Sequence, residues 1–147
     1  NAGLDEELSA VAAKEAGNAN DASSDNSEDA SSLFEQIDRT IRDERLYLNP
    51  DFQRQTLVDM FHSDRNRVGR VIKNFSGFSN LSAYINNYRL EYAYRLLRDL
   101  DSKQTIDSIA KASGFSTVRT FQRLFKERYG MTPAEFRERY SGLRTKE

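Results

Sequence analysis

The sequence predicts an all-α fold of about seven helices, arranged as two helix-turn-helix units joined by a long central helix. Three observations predict it. Apolar residues recur at three- and four-residue spacing from Leu33 onward, and strand-like alternation is sustained nowhere. Gly-containing breaks and Ser, Thr, Asp or Asn caps separate those stretches into helix-length pieces. A pattern of apolar, basic, glycine and cap positions in the first half of the domain returns 53 residues later.

Leu33, Phe34, Ile37 and Ile41 predict a first helix that ends near Arg45. Asn49-Pro50-Asp51 reads as a turn. Thr56 to Phe61 follows as a short helix with one apolar face, and Asp64 caps a helix running to about Asn74. Ser76-Gly77-Phe78-Ser79 breaks the chain. The long helix then spans roughly Leu81 to Leu100, with Ile85, Leu90, Ala93, Leu97 and Leu100 facing a core. Ile106, Ile109 and Ala110 mark a short helix, which Ser113-Gly114-Phe115-Ser116 stops. Residues 117–128 follow, with Phe121, Leu124 and Phe125 on one side and Arg119, Arg123, Lys126 and Arg128 as basic positions. Thr132-Pro133-Ala134-Glu135 is a capping box with proline at the first helical position, so a last helix starts there.

Two short helices with a Gly-containing break between them, the second basic and amphipathic, form the unit that lays its second helix in the DNA major groove. At the 53-residue offset Arg70-Val71-Ile72-Lys73 falls on Arg123-Leu124-Phe125-Lys126. Ser63 likewise falls on Ser116, Val68 on Phe121, Gly77 on Gly130 and Ser79 on Thr132, the last two as candidate caps. The domain therefore contains two helix-turn-helix units, each with a basic second helix, at about 64–74 and 117–128. A central helix of about 18 residues is about 27 Å long, enough for a stiff spacer that sets both units on one face of DNA. The sites read need not be palindromic, because the two helices differ.

Composition narrows the function. The zero cysteines exclude a disulfide framework, a thiolate zinc site and a cysteine nucleophile, and fit a cytoplasmic protein. His62, the single histidine, lies in the turn before the first recognition helix, and packing or a local hydrogen bond is its expected role. Tyr84, Tyr88, Tyr92 and Tyr94 are expected to pack the central helix. Neither a cofactor nor a metal is expected. Carboxylates scattered over solvent faces offer no acid, base or nucleophile constellation, which argues against an enzyme. No apolar run approaches the ~20 residues of a membrane span, so no membrane contact is expected.

The overall charge of −1 conceals a split. Residues 1–31 hold eight acidic groups against Lys14 alone, a net of −7, and the remainder carries +6. We read 1–31 as an acidic low-complexity linker or fragment tail and 32–143 as the DNA-binding domain. Leu4, Leu8, Val11 and Ala12 allow a helix over 4–16, marginal if isolated. A start at Asn reads as processing or as a piece of a longer chain.

On the second recognition helix, Val118, Arg119, Gln122 and Arg123 are the expected base readers: Arg for guanine, Gln for adenine, Val for a thymine methyl. On the first they are Asn66, Gly69 and Arg70, although Gly69 has no side chain and costs a helix about 1 kcal/mol. Gly69 is explained either by close approach of the helix backbone to DNA or by tolerance at an exposed site. The first unit could also serve mainly for positioning. Arg65, Lys73, Lys126 and Arg128 are the expected phosphate contacts. A helical protein-interaction module with a basic face is the alternative reading.

Gly114-Phe115-Ser116, Phe121-Gln122-Arg123-Leu124-Phe125-Lys126 and Gly130-Met131-Thr132-Pro133-Ala134-Glu135-Phe136-Arg137 together resemble the signature of the AraC/XylS family of bacterial transcription regulators. The central helix adds Tyr84-Ile85, Arg89-Leu90, Ala93 and Leu96-Leu97, and the likeness covers about residues 33–140. Ile72, where an aromatic is common, and Gly69 depart from the family pattern. The resemblance implies a regulator, usually an activator, that binds double-stranded promoter DNA and contacts RNA polymerase. It also implies a separate sensing domain. Residues 1–31 would then end a linker from a ligand-binding, membrane-sensor or receiver domain.

Overall fold

The computed structural model describes residues 27–99 and 101–146. Among the described residues there are seven α-helices and no strand. They are α1 (Ser27–Asp43), α2 (Arg54–Phe61), α3 (Arg65–Phe75), α4 (Leu81–Arg98), α5 (Ile106–Ala112), α6 (Val118–Tyr129) and α7 (Pro133–Lys146), with a single 3-10 turn at Leu46–Leu48. The helix expected over 4–16 and the core position at Leu100 lie outside the described residues.

Boundaries differ from expectation where tertiary packing decides them. α1 begins at Ser27, inside the stretch read as linker and before the domain start expected at residue 32. Glu28 and Asp29 occupy its first turn, where they complement the positive helix end, and Ala30 is buried. α1 stops at Asp43, because Arg45 takes a left-handed conformation (φ 53°) and the Leu46–Leu48 turn takes over.

The chain divides into two compact units. The first contains the described residues 27–46 and Asp51–Asn86. In it α1 and α2 pack on α3, and Ile37, Ile41, Leu57, Val68 and Ile72 are fully excluded from solvent. Phe34 stacks on Phe75 with centroids 6.3 Å apart, and the Tyr84 hydroxyl donates to an Asp38 carboxylate oxygen. Burying each such side chain contributes about 1.5–3 kcal/mol.

The second unit contains Tyr47–Pro50 and the chain from Asn87 onward. α6 packs between α5 and α7 around Leu90, Ala93, Leu97, Ile109, Ala110, Phe115, Phe121 and Phe125. The short Tyr47–Pro50 segment is held by Arg89, whose Nε donates to the Tyr47 carbonyl (2.7 Å) and Nη2 to the Asn49 carbonyl (2.9 Å). Burial lowers the pKa of that guanidinium. Tyr47 also stacks on Tyr88 at 5.3 Å and meets Tyr92 edge-on. Tyr94 lies against Tyr129 and Phe136, so the tyrosines of α4 pack as expected.

Candidate nucleic-acid interface

The two second helices start alike. The Asp64 side chain accepts the Arg67 N–H (2.7 Å), and Thr117 accepts the Thr120 N–H (3.1 Å), each three residues in. Capping satisfies a donor the first turn cannot pair internally. The 53-residue repeat therefore holds at the start of both helices. It slips one residue at the next element, where Asn80 rather than Ser79 caps α4 by accepting the Ala83 N–H (2.8 Å).

The turns before the helices reach one geometry by different residues. In the second, Gly114 (φ 93°) follows α5, with Phe115 N–H to Ala110 O (3.0 Å) and Gly114 N–H to Lys111 O (3.1 Å). That pair of bonds closes a Schellman motif. In the first, His62 takes the left-handed position (φ 51°) and Ser63 N–H reaches Val58 O (3.2 Å). His62 is exposed, so its part is in the turn rather than in packing.

On α6, Phe121 and Phe125 are fully buried and Leu124 packs against the same core. Arg119, Gln122, Arg123 and Lys126 are exposed away from it. Val118 is half-buried and packed against the core cluster, so it does not lie on the fully outward face expected for it. As the first residue of α6, its side chain leans back over the preceding turn. Arg123 Nη1 lies 3.4 Å from Glu127 Oε2. Arg128 is exposed but occupied: Nη1 donates to Asn87 Oδ1 on α4, and its guanidinium sits 5.5 Å from the Tyr129 ring centroid.

On α3, Val68, Val71 and Ile72 are buried, Asn66 and Arg70 are half-buried, and Lys73 is exposed. Arg65 is exposed and donates to Gln55 Oε1 on α2 (3.1 Å). Gly69 is half-buried like Asn66 and Arg70, and has a neighbour on α2. A Cβ there would lie 3.7 Å from Nη1 of Arg54, a residue only 7% exposed, and Gly69 itself is not exposed. The position faces α2 within the unit. The signal was available, because residue 69 follows buried Val68 by about 100° on the helix and so flanks the apolar stripe.

Sequence reasoning did not single out Arg54, Gln55, Asn87 or Glu127. Arg54, Gln55 and Asn87 meet residues of another element, which periodicity does not display; the four-residue spacing of Arg123 and Glu127 on one helix could have found that pair. The charge inventories also differ. α3 carries Arg65, Arg67, Arg70 and Lys73 with no acid, whereas α6 sets Glu127 among Arg119, Arg123, Lys126 and Arg128.

Two capped basic helices, each behind a short helix and a left-handed turn, define a DNA-binding helix-turn-helix protein. Comparison with known proteins agrees. A family model described as a helix-turn-helix domain matches residues 57–139. PqrA of Proteus vulgaris, a probable transcription factor, is 33% identical over 94 residues, which is 64% of this chain and 75% of that protein. The C-terminal domain of the two-component response regulator yesN of Fusobacterium nucleatum is similar with a TM-score of 0.63 at 25% identity, over 72% of this chain and 98% of that one. The DNA-binding domain of AdpA, solved with a target DNA, has a TM-score of 0.66 over 78% of this chain and 97% of that one; at 23% identity the likeness is one of fold. Other curated relatives are longer, and the chain spans 23% to 38% of their length. The chain belongs to the AraC-type helix-turn-helix family and is a DNA-binding transcription regulator. No helix among the described residues is long and apolar enough to cross a membrane.

Proposed function

We propose that the chain inserts α3 and α6 into adjacent major-groove segments of promoter DNA, and works by binding rather than by catalysis. The observation that carries this is the exposed row Arg119, Gln122, Arg123 and Lys126, set opposite the fully buried Phe121 and Phe125 on a capped helix. Its counterpart on α3 is Asn66, Arg70 and Lys73. Arg119, Gln122 and Arg123 read bases from α6, and Asn66 and Arg70 from α3. Lys73 and Lys126 contact phosphates. Arg65 and Arg128 also meet phosphate once they exchange Gln55 and Asn87 for it. Val118 offers a thymine methyl only the part of its surface that the core leaves open, and Gly69 contributes no base contact.

The wider role proposed is that of an activator in the bacterial cytoplasm that contacts RNA polymerase. A sensing or receiver domain joined through the acidic residues ahead of α1 is part of the same proposal, with the start of the DNA-binding part moved from residue 32 to Ser27, where α1 begins. The yesN domain, itself the C-terminal part of a response regulator, supports the receiver form. Selection from a random duplex pool tests the central reading. Two adjacent half-sites with different sequences are expected, with affinity falling steeply as salt rises. Recovery of a single short site, or of no preferred site, would overturn it.

A further inference from the structure

The acid on α6 stands where α3 has none. By the 53-residue repeat, Arg70 matches Arg123 and Asn74 matches Glu127. Glu127 lies one turn beyond Arg123, and the two exposed side chains (60% and 62%) meet at 3.4 Å. A pair this open contributes little to folding.

We infer that Glu127 is a positioning residue for base recognition, acting through Arg123; this rests on the DNA-reading role proposed for α6. Glu127 engages Nη1 of Arg123. A guanidinium is a planar fork with donors on two edges. Anchoring Nη1 leaves the Nε–Nη2 edge to meet the paired acceptors of guanine in the major groove. The carboxylate also offsets the arginine charge, so a lone phosphate attracts Arg123 less than an unpaired arginine would be attracted. Sequence-independent binding is weakened while the bidentate contact is kept. Selectivity at the base pair met by Arg123 is thereby raised.

The test compares the full chain with Glu127→Gln, Arg123→Ala and the double variant. Each is titrated into a duplex selected from a random pool and into a scrambled duplex of equal composition, over a salt series. Glu127→Gln should bind the scrambled duplex about threefold to tenfold more tightly, the scale of one charge near a surface. The selected duplex should be bound no more tightly than before, and the melting temperature should stay put. In the Arg123→Ala background the same change should leave the ratio of the two affinities unaltered. Equal tightening on both duplexes, or no change on either, overturns the inference. So does a shifted ratio that persists without Arg123, since Glu127 would then touch a base edge itself. If the unaltered chain already binds both duplexes equally, the base-reading role of α6 fails, and the inference fails with it.

Discussion

Gly114 and Gly69 show how differently two glycines of one fold are constrained. Gly114 needs a left-handed backbone, and a Cβ there would lie 2.3 Å from the Tyr47 carbonyl oxygen and 2.9 Å from the Leu48 Cα. Gly114→Ala is expected to destabilise the second unit by about 2–4 kcal/mol, from backbone strain plus overpacking. Denaturant unfolding measures this. Gly69 has ordinary space beside Arg54. Gly69→Ala should therefore stabilise α3 by about 1 kcal/mol and change DNA affinity by less than about twofold. A large loss of affinity would restore close backbone approach as the reason for the glycine. At Arg123, replacement by Ala should cost about 1–3 kcal/mol on the selected site and relax preference at one base pair. Equal weakening on scrambled DNA would remove its reading role. The sequence displays Arg123 as outward because three- and four-residue spacing fixes faces. The same spacing sets Gly69 beside the apolar stripe but does not name Arg54 as its neighbour, and it does not display that His62 must take a left-handed turn, since these depend on a neighbouring element and on the local backbone.

Helix starts were legible because the residues that cap them are close in sequence. Asp64 and Thr132 each accept an N–H three residues on, as their spacing predicts; Thr117, read as the first helical residue, is instead the cap of α6, and Asn80 takes the capping place expected of Ser79. Helix ends and the start of α1 were less so, because packing and charge decide how far the last turn continues. The capping box of α7 has a pH consequence. The Thr132 N–H donates to the Glu135 carboxylate (2.9 Å), and with the Thr132 hydroxyl it holds the carboxyl below its ordinary pKa. A carboxylate whose pKa is lower folded than unfolded adds stability that is complete above the unfolded value. It is lost as pH falls through the folded one. Glu135→Gln keeps an acceptor and removes the titration. Its melting temperature should therefore decline less than that of the parent as pH falls from neutrality through the carboxylate range. Parallel curves for the two proteins would show that the box adds no acid sensitivity.

The architecture of two related units was visible in the repeat, but the partition of the chain between them was not. The path leaves the first unit after Leu46, gives Tyr47–Pro50 to the second, and returns at Asp51. Nothing in that short stretch shows the exchange, because its partners, Tyr88 and Arg89, lie about forty residues away. Arg89 resembles one more polar residue on an amphipathic helix until its two carbonyl acceptors are known. Its removal leaves the Tyr47 and Asn49 carbonyls without that donor and exposes the Tyr47 stack. Arg89→Ala should cost about 2–3 kcal/mol, the scale of charge-assisted hydrogen bonds lost together. The loss should be local. Native-state hydrogen exchange should quicken at Gly114 and through α5, and stay unchanged in the buried turns of α1 and α3. Faster exchange in α1 and α3 by the same factor would mean that the units unfold as one body, and the division of the chain drawn here would not describe its stability.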